Sequence, residues 1–164
     1  MNSVIIFRWI HILAAGVWLG EVVVINIILV PVLARLDPDK RGWFMAAIFP
    51  RIFQLASIVV ATVLLSGAAL NLSMSAWDLG TAVSRLAPSR WGTTILIAGL
   101  LGLALGLFHF FAEGKLEPRI LEVKDSDTPA DFDAVVRHLK IIPRVGLGIL
   151  FVIFILMMYA ARGF

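Results

Sequence analysis

The sequence predicts an all-α integral membrane protein: an up-down bundle of four transmembrane helices, with a short amphipathic helix before the last span. Three observations lead there. The chain of 164 residues is 60% hydrophobic, with a mean hydropathy of +0.97, whereas soluble domains are usually less than about half apolar. Its apolar residues gather into four blocks, at about 4–33, 51–73, 91–112 and 141–161. Each block is long enough to cross a hydrocarbon core, which takes about 20 residues. The basic residues fall between the blocks, and unevenly.

The first block reads as a span rather than a signal peptide. It is too long, Arg8 is its only basic residue, and no small-x-small site closes it. It is expected to end near Pro31. "ARLDPDKRGWF" follows as a loop, with Trp43 and Phe44 as interface anchors. The second block starts after Pro50. It carries a polar thread of Gln54, Ser57, Thr62, Ser66 and Asn71 and a small-residue run, "SGAA". Small residues let helices approach closely, and hydroxyls hydrogen-bond between them.

The second loop, "SMSAWDLGTAVSRLAPSRW", has enough apolar residues to lie on the membrane. The third block contains "GLLGLALG", in which Gly102 and Gly106 form a small-xxx-small pair. The third loop holds "DTPADFDAVVRHLKII". Thr128 would cap a helix there, Pro129 suits its first turn, and Asp131 suits its positive end. Phe132, Val135, Val136 and Leu139 make one apolar stripe. The chain shows no internal repeat and reads as a single domain over 1–164.

Loops one and three share a side of the bundle. Their flanks hold Arg35, Lys40, Arg41, Arg51, Lys115, Arg119, Lys124, Arg137, Lys140 and Arg144, against Arg8, Arg85, Arg90 and Arg162 on the other side. The positive-inside rule then puts loops one and three in the cytoplasm and both termini outside. No basic patch is free of acids or set with stacking aromatics, so nucleic acid is not a partner. The chain has no cysteine, which excludes disulfides, thiolate metal sites and a thiolate nucleophile.

Ionisable residues at membrane depth are functional candidates by default, because each costs several kcal/mol there by some scales. His11, His109 and His138 are the histidines. A single haem between His11 and His109 is disfavoured by depth. His11 sits five to seven residues into its helix from the outer side, and His109 about 18 from the same side, a difference of roughly 16–20 Å. Two levels of site follow. At the outer level Met157 and Met158 match the depth of His11. At the inner level His109 matches Arg144 and His138.

The outer level suits haem iron with His or His/Met ligation, or Cu(I), which favours imidazole and thioether. Arg144 suits a haem propionate. On the first helix His11, Ala15, Trp18 and Val22 share a face, so Ala15 and Trp18 would line a pocket beneath His11. Glu21 lies about 80° round from His11 and near mid-membrane. It would carry protons, bind a cation or hydrogen-bond a neighbouring helix. Packing readings stand beside these: a hydrogen-bonded His11, a surface His138, and methionines that only fill space.

"RWIHILAAGVWLGEVVV" resembles the first helix of the copper-resistance D (CopD) domain and of the HemJ-type protoporphyrinogen oxidases. The stretch from Trp91 to "LGLFHFF" is similar to the Trp…His third helix of the latter, with His109 in the histidine's place. "IIPRVGLGILFVIFILMMYAARGF" is similar to their Pro-led last helix. The resemblance implies a bacterial inner-membrane protein that binds haem b, with His11 as a ligand. The chain departs from the oxidase pattern at Thr93 and Thr94, where a basic residue is usual, and at Ile141 and Ile142, where Asn-Glu is usual.

The leading expectation is a haem b redox protein that moves electrons in the membrane or oxidises a porphyrin or quinol. Copper transport or resistance is the alternative, and a cofactor-free membrane subunit the third. A homo-oligomer or a respiratory partner subunit stays open. A hydrolase is disfavoured, because no nucleophile motif frames its serines.

Overall fold

The structure is a computed structural model. It describes residues 3–87, 89–124 and 129–162, with side chains described outside positions 38, 123–124 and 129–134. Among the described residues, four helices are long and apolar enough to cross a membrane. The chain is thus an integral membrane protein built as a four-helix bundle, with lipid against its outer faces.

The first span, α1, runs Ser3–Arg35. It is α-helical to Val24, π-helical over Ile25–Leu29 and α-helical again over Val30–Arg35. The Val30 N–H reaches back five residues to the Ile25 carbonyl. The cause stands one residue on. Pro31 has no N–H and its ring crowds a carbonyl one turn back, and a wider turn makes room for it. The helix therefore passes Pro31, where the sequence suggested an end. Asn26 Nδ2 donates to the Val22 carbonyl at 2.8 Å in the same stretch.

Leu36 and Asp37 are extended, as suits the approach to Pro38. Pro38 opens α2, which runs Pro38–Ser73. Arg41 reaches back to the Leu36 carbonyl at 2.8 Å and the Ala34 carbonyl at 3.4 Å, which closes the end of α1. Loop one is therefore far shorter than "ARLDPDKRGWF", and Pro50 lies inside α2. The same holds beyond. After the short helix α3 (Leu79–Ser84), α4 runs Arg90–Lys124 with Pro118 inside, and α5 runs Pro129–Ala161 with Pro143 inside. The expected amphipathic helix is the first part of α5, continuous with the last span. Its expected cap, Thr128, and the side chains of Asp131 and Phe132 lie outside the described residues.

Packing explains why these helices pass their prolines. At 1.5 Å per residue α2 is about 54 Å long, against a hydrocarbon core of about 30 Å. The charged ends near loops one and three therefore project past the lipid. There Leu33, Met45, Phe49, Leu116, Ile120, Val135 and Leu139 form a buried cluster drawn from all four long helices. Each such side chain contributes about 1.5–3 kcal/mol on burial, enough together to outweigh a proline cost of about 3 kcal/mol. The stripe of Val135, Val136 and Leu139 faces this cluster and not a membrane surface.

A second cluster lies deeper: Trp18, Val59, Val60, Val63, Leu105 and Leu150. Gly106 sits where a Cβ would stand 3.0 Å from both Val60 and Leu64, so α2 and α4 touch closely there. Gly102 meets nothing within 4 Å, so only one glycine of the pair serves that contact.

Candidate functional site

A cavity of about 90 Å³ lies between the two clusters. Trp18, Glu21, Val22 and Ile25 of α1 form one wall, the last of them opening the π-helical turn. Phe53 and Ala56 come from α2, Leu105, His109 and Glu113 from α4, and His138, Pro143 and Gly146 from α5. The walls are mainly apolar, and four ionisable side chains face inward. The π-turn beside the cavity is of the kind that recurs at functional sites.

His109 and Glu113 are four residues apart on α4, so they share a helix face. His109 Nε2 lies 3.5 Å from Glu113 Oε2, and both side chains are about 18% exposed. Ser57 of α2 stands between them. Its hydroxyl donates to Glu113 Oε2, and its oxygen lies 3.1 Å from His109 Nε2. A hydrolytic triad needs the carboxylate on one imidazole nitrogen and the serine on the other. Here Ser57 and Glu113 converge on the same nitrogen and on each other. The arrangement suits proton exchange and not nucleophilic attack.

Glu21 completes the site from α1. Its Oε2 is buried and has no hydrogen-bond partner. An orphaned buried carboxylate oxygen is costly, and a cavity beside it offers room for the missing donor.

His11 is elsewhere. Its Nδ1 lies 3.0 Å from the Val63 carbonyl and 3.5 Å from Ser66 Oγ, both on α2. Its ring lies over Gly67, where a Cβ would stand 2.9 Å from Cε1. The run "SGAA" thus seats an imidazole. His11 is not among the residues that line the cavity described above. Ala15, Trp18 and Val22 pack into the deeper cluster, and Trp18 and Val22 line the cavity at the level of His109.

Met157 and Met158 lie eleven and twelve residues beyond the wall residue Gly146, about 17 Å along α5. That is close to the level of His11, ten residues before Glu21. Met158 is 58% exposed, and the hydrogen bonds of His11 go to α2. Arg144 follows the wall residue Pro143 and is exposed, so it stands at the level of His109. His138 is half-buried at the cavity and not a surface residue. Among the described residues, no group of three or more His, Asp or Glu is placed to hold a metal ion.

Sequence reasoning passed over Glu113 and gave Ser57 only a packing role. The i, i+4 spacing of His109 and Glu113 was the available signal. It was hidden because the third block was closed at residue 112. The rest of the polar thread mostly does not bridge the spans as expected, although Asn71 donates to the Ala82 carbonyl of α3. Thr62 and Ser66 donate to carbonyls of their own helix, and Gln54 is exposed.

No curated protein and no solved structure matches the chain. A family model described as a domain of unknown function, DUF4149, matches residues 13–128, a stretch that takes in Glu21, Ser57, His109 and Glu113 and begins after His11. That is more than half of the chain, and with the site residues so contained the protein belongs to the DUF4149 family.

Proposed function

We propose that this protein takes up and hands on protons at a buried acid–base site, as part of a redox or transport step in the membrane. The observation that carries the reading is Glu21, whose buried and unpartnered oxygen belongs to the same cavity as Glu113 and His109. Ionisable groups that line a cavity in a membrane bundle are the usual parts of a proton path. A cavity of about 90 Å³ has room for water, and water between carboxylates passes protons.

We further propose a bacterial inner membrane as the setting, with the site toward the cytoplasmic side and both termini outside, an orientation that the charge bias of loops one and three supports. Infrared difference spectra of the protein in lipid vesicles test the reading. A protonated-carboxyl band should rise as pH falls and should change in Glu21→Gln. No titrating carboxyl band at any pH where the protein stays folded would remove it.

A second reading, the haem b redox protein, rests on His11. The Val63 carbonyl only accepts hydrogen bonds, so Nδ1 carries the proton and Nε2 keeps its lone pair. That is the tautomer in which metal-ligating histidines are held. The donor fits an axial ligand. Haem bound there would supply one-electron chemistry, with a porphyrin or a quinol as the substrate class. Copper, with Met157 or Met158, would use the same nitrogen. Spectra of oxidised and dithionite-reduced protein, beside His11→Ala, decide: a Soret band lost in the variant supports haem, and a featureless spectrum from haem-supplied cells removes it.

A further inference from the structure

Ser57 differs from Thr62, Ser66 and Thr94 in where its hydroxyl donates. Thr62 donates to the Ile58 carbonyl, Ser66 to Thr62, and Thr94 to Arg90, each one turn back on its own helix. This is the ordinary choice for Ser and Thr inside a helix. Ser57 turns its hydroxyl to α4 instead, to Glu113 Oε2, with His109 Nε2 at 3.1 Å on its other side. It is absent from the cavity lining and stands behind it, between two residues that are in the lining.

A serine hydroxyl has one hydrogen. With that hydrogen on Glu113, His109 Nε2 must carry a proton and donate it to Ser57 Oγ, and Nδ1 keeps a lone pair. The chain of bonds can also run backwards. A protonated Glu113 then donates to Ser57, Ser57 donates to Nε2, and the imidazole proton sits on Nδ1. The two patterns have the same heavy atoms in the same places and differ by one proton.

We infer that Ser57 is the conducting link of a proton relay between His109 and Glu113, and that protons pass through its hydroxyl. The inference rests on the proton-handling reading above and names its path. In the forward step a proton binds His109 Nδ1. The Nε2 proton moves to Ser57 Oγ as the Ser57 hydroxyl proton moves to Glu113 Oε2. One N–H bond forms and one breaks, one O–H bond breaks at serine as another forms there, and the gained proton ends on the carboxyl. The imidazole and the hydroxyl are neutral before and after. The direct path from Nε2 to Oε2 is 3.5 Å, too long for a good hydrogen bond.

The other ionisable groups at the cavity are Glu21 on α1 and His138 on α5, while α2 lines it with Phe53 and Ala56 and holds Ser57 behind the lining. Glu21 is placed to exchange the Glu113 proton across the cavity. The test therefore separates the link from its ends.

The experiment is a pH jump on the protein in lipid vesicles, followed by infrared spectroscopy in the carboxyl region. Glu113→Gln assigns the Glu113 band. Ser57→Ala should slow its appearance by about a hundredfold, in line with the loss of a positioned proton carrier, and leave its final amplitude in place. Ser57→Thr, which keeps a hydroxyl, should restore the rate. A purely structural serine would alter thermal stability and amplitude and would not be rescued kinetically. An unchanged rate in a folded Ser57→Ala protein would overturn the relay and leave the acid–base site standing. Absence of any titrating carboxyl in the unsubstituted protein would overturn both. If Ser57→Ala does not fold, Ser57→Thr beside His109→Gln reads the same path: a normal rate in His109→Gln would overturn it.

Discussion

Ser66 and Ser57, nine residues apart on α2, each meet a different histidine: His11 at 3.5 Å and His109 at 3.1 Å. At 1.5 Å per residue the two contacts are about 14 Å apart along the helix. One metal ion cannot bind both imidazoles, and the two histidines lie at separate levels with different hydrogen-bond partners. The outer imidazole is bonded to a backbone carbonyl. The inner one belongs to a hydrogen-bonded pair with a carboxylate neighbour.

Gly67 should be sensitive to the smallest enlargement. A Cβ there would stand 2.9 Å from His11 Cε1 and 3.1 Å from Nδ1. The ring must shift, and its bond to Val63 is the first loss. Gly67→Ala is expected to lower stability by about 1 kcal/mol, the worth of one such bond, and Gly67→Leu by more. Thermal unfolding in detergent measures this, and His11→Ala should remove most of the penalty of Gly67→Ala.

Ala76 and Trp77 both have left-handed backbone, with φ of 51° and 64°. They carry the chain out of α2, where the Trp77 N–H bonds the Leu72 carbonyl at 2.8 Å and the Trp77 ring packs edge-on against Phe7. The ring contact requires Trp77, but the Ala76 methyl serves no such contact. Ala76→Gly is therefore expected to raise stability by about 1 kcal/mol, seen as a higher unfolding temperature.

Gly92 carries a heavier constraint. A Cβ there would lie 2.2 Å from the Arg85 carbonyl oxygen and 3.0 Å from the Leu86 backbone. Backbone cannot yield as a side chain can. The same turn is held by Arg85, which bonds the Met74 carbonyl at 2.7 Å and lies over the Trp91 ring. Gly92→Ala is expected to cost about 1–3 kcal/mol or more and to expose the second loop to protease, which limited digestion would show.

Asp78 caps α3, its Oδ2 accepting the Thr81 N–H at 2.6 Å. The backbone and side chain of Thr81 hold this carboxyl below the ordinary Asp range. A depressed folded value means that the cap's contribution is fully present above the unfolded pKa, and is lost as pH falls through the folded one. Exchange of the Thr81 amide hydrogen should speed up in that acid window. In Asp78→Asn, which still caps but does not titrate, exchange protection should show no such step.

Phe49 has no exposed surface and anchors the cluster that carries α2 past Pro50. Phe49→Ala is expected to cost about 3–5 kcal/mol. The loss should appear first as amide exchange in Pro38–Pro50, because that end of α2 packs on the cluster.

Much of the architecture is legible from residue order alone. Four apolar blocks of span length dictate four helices in lipid, because a bilayer leaves backbone groups no other partner. The charge bias between blocks and the depths of His11, Glu21 and His109 follow from the same counting, since the helical rise is constant. The helix ends did not follow. Pro31, Pro50 and Pro143 look like boundaries by local rule, and the charges around them look like loops. The buried cluster of Leu33, Phe49, Ile120 and Leu139 overrides both, and no local window contains contacts between residues nearly ninety positions apart. The site divides the same way. Residue order determined that ionisable side chains would stand within helices long and apolar enough to cross a membrane. Which of them meet was decided only by the packing of α1, α2, α4 and α5. That packing puts Ser57 between His109 and Glu113, leaves one oxygen of Glu21 unpaired at the same cavity, and seats His11 on Gly67 a level away. Hydrogen bonds depend on distances of a few tenths of an ångström, and those distances exist only once the helices have docked.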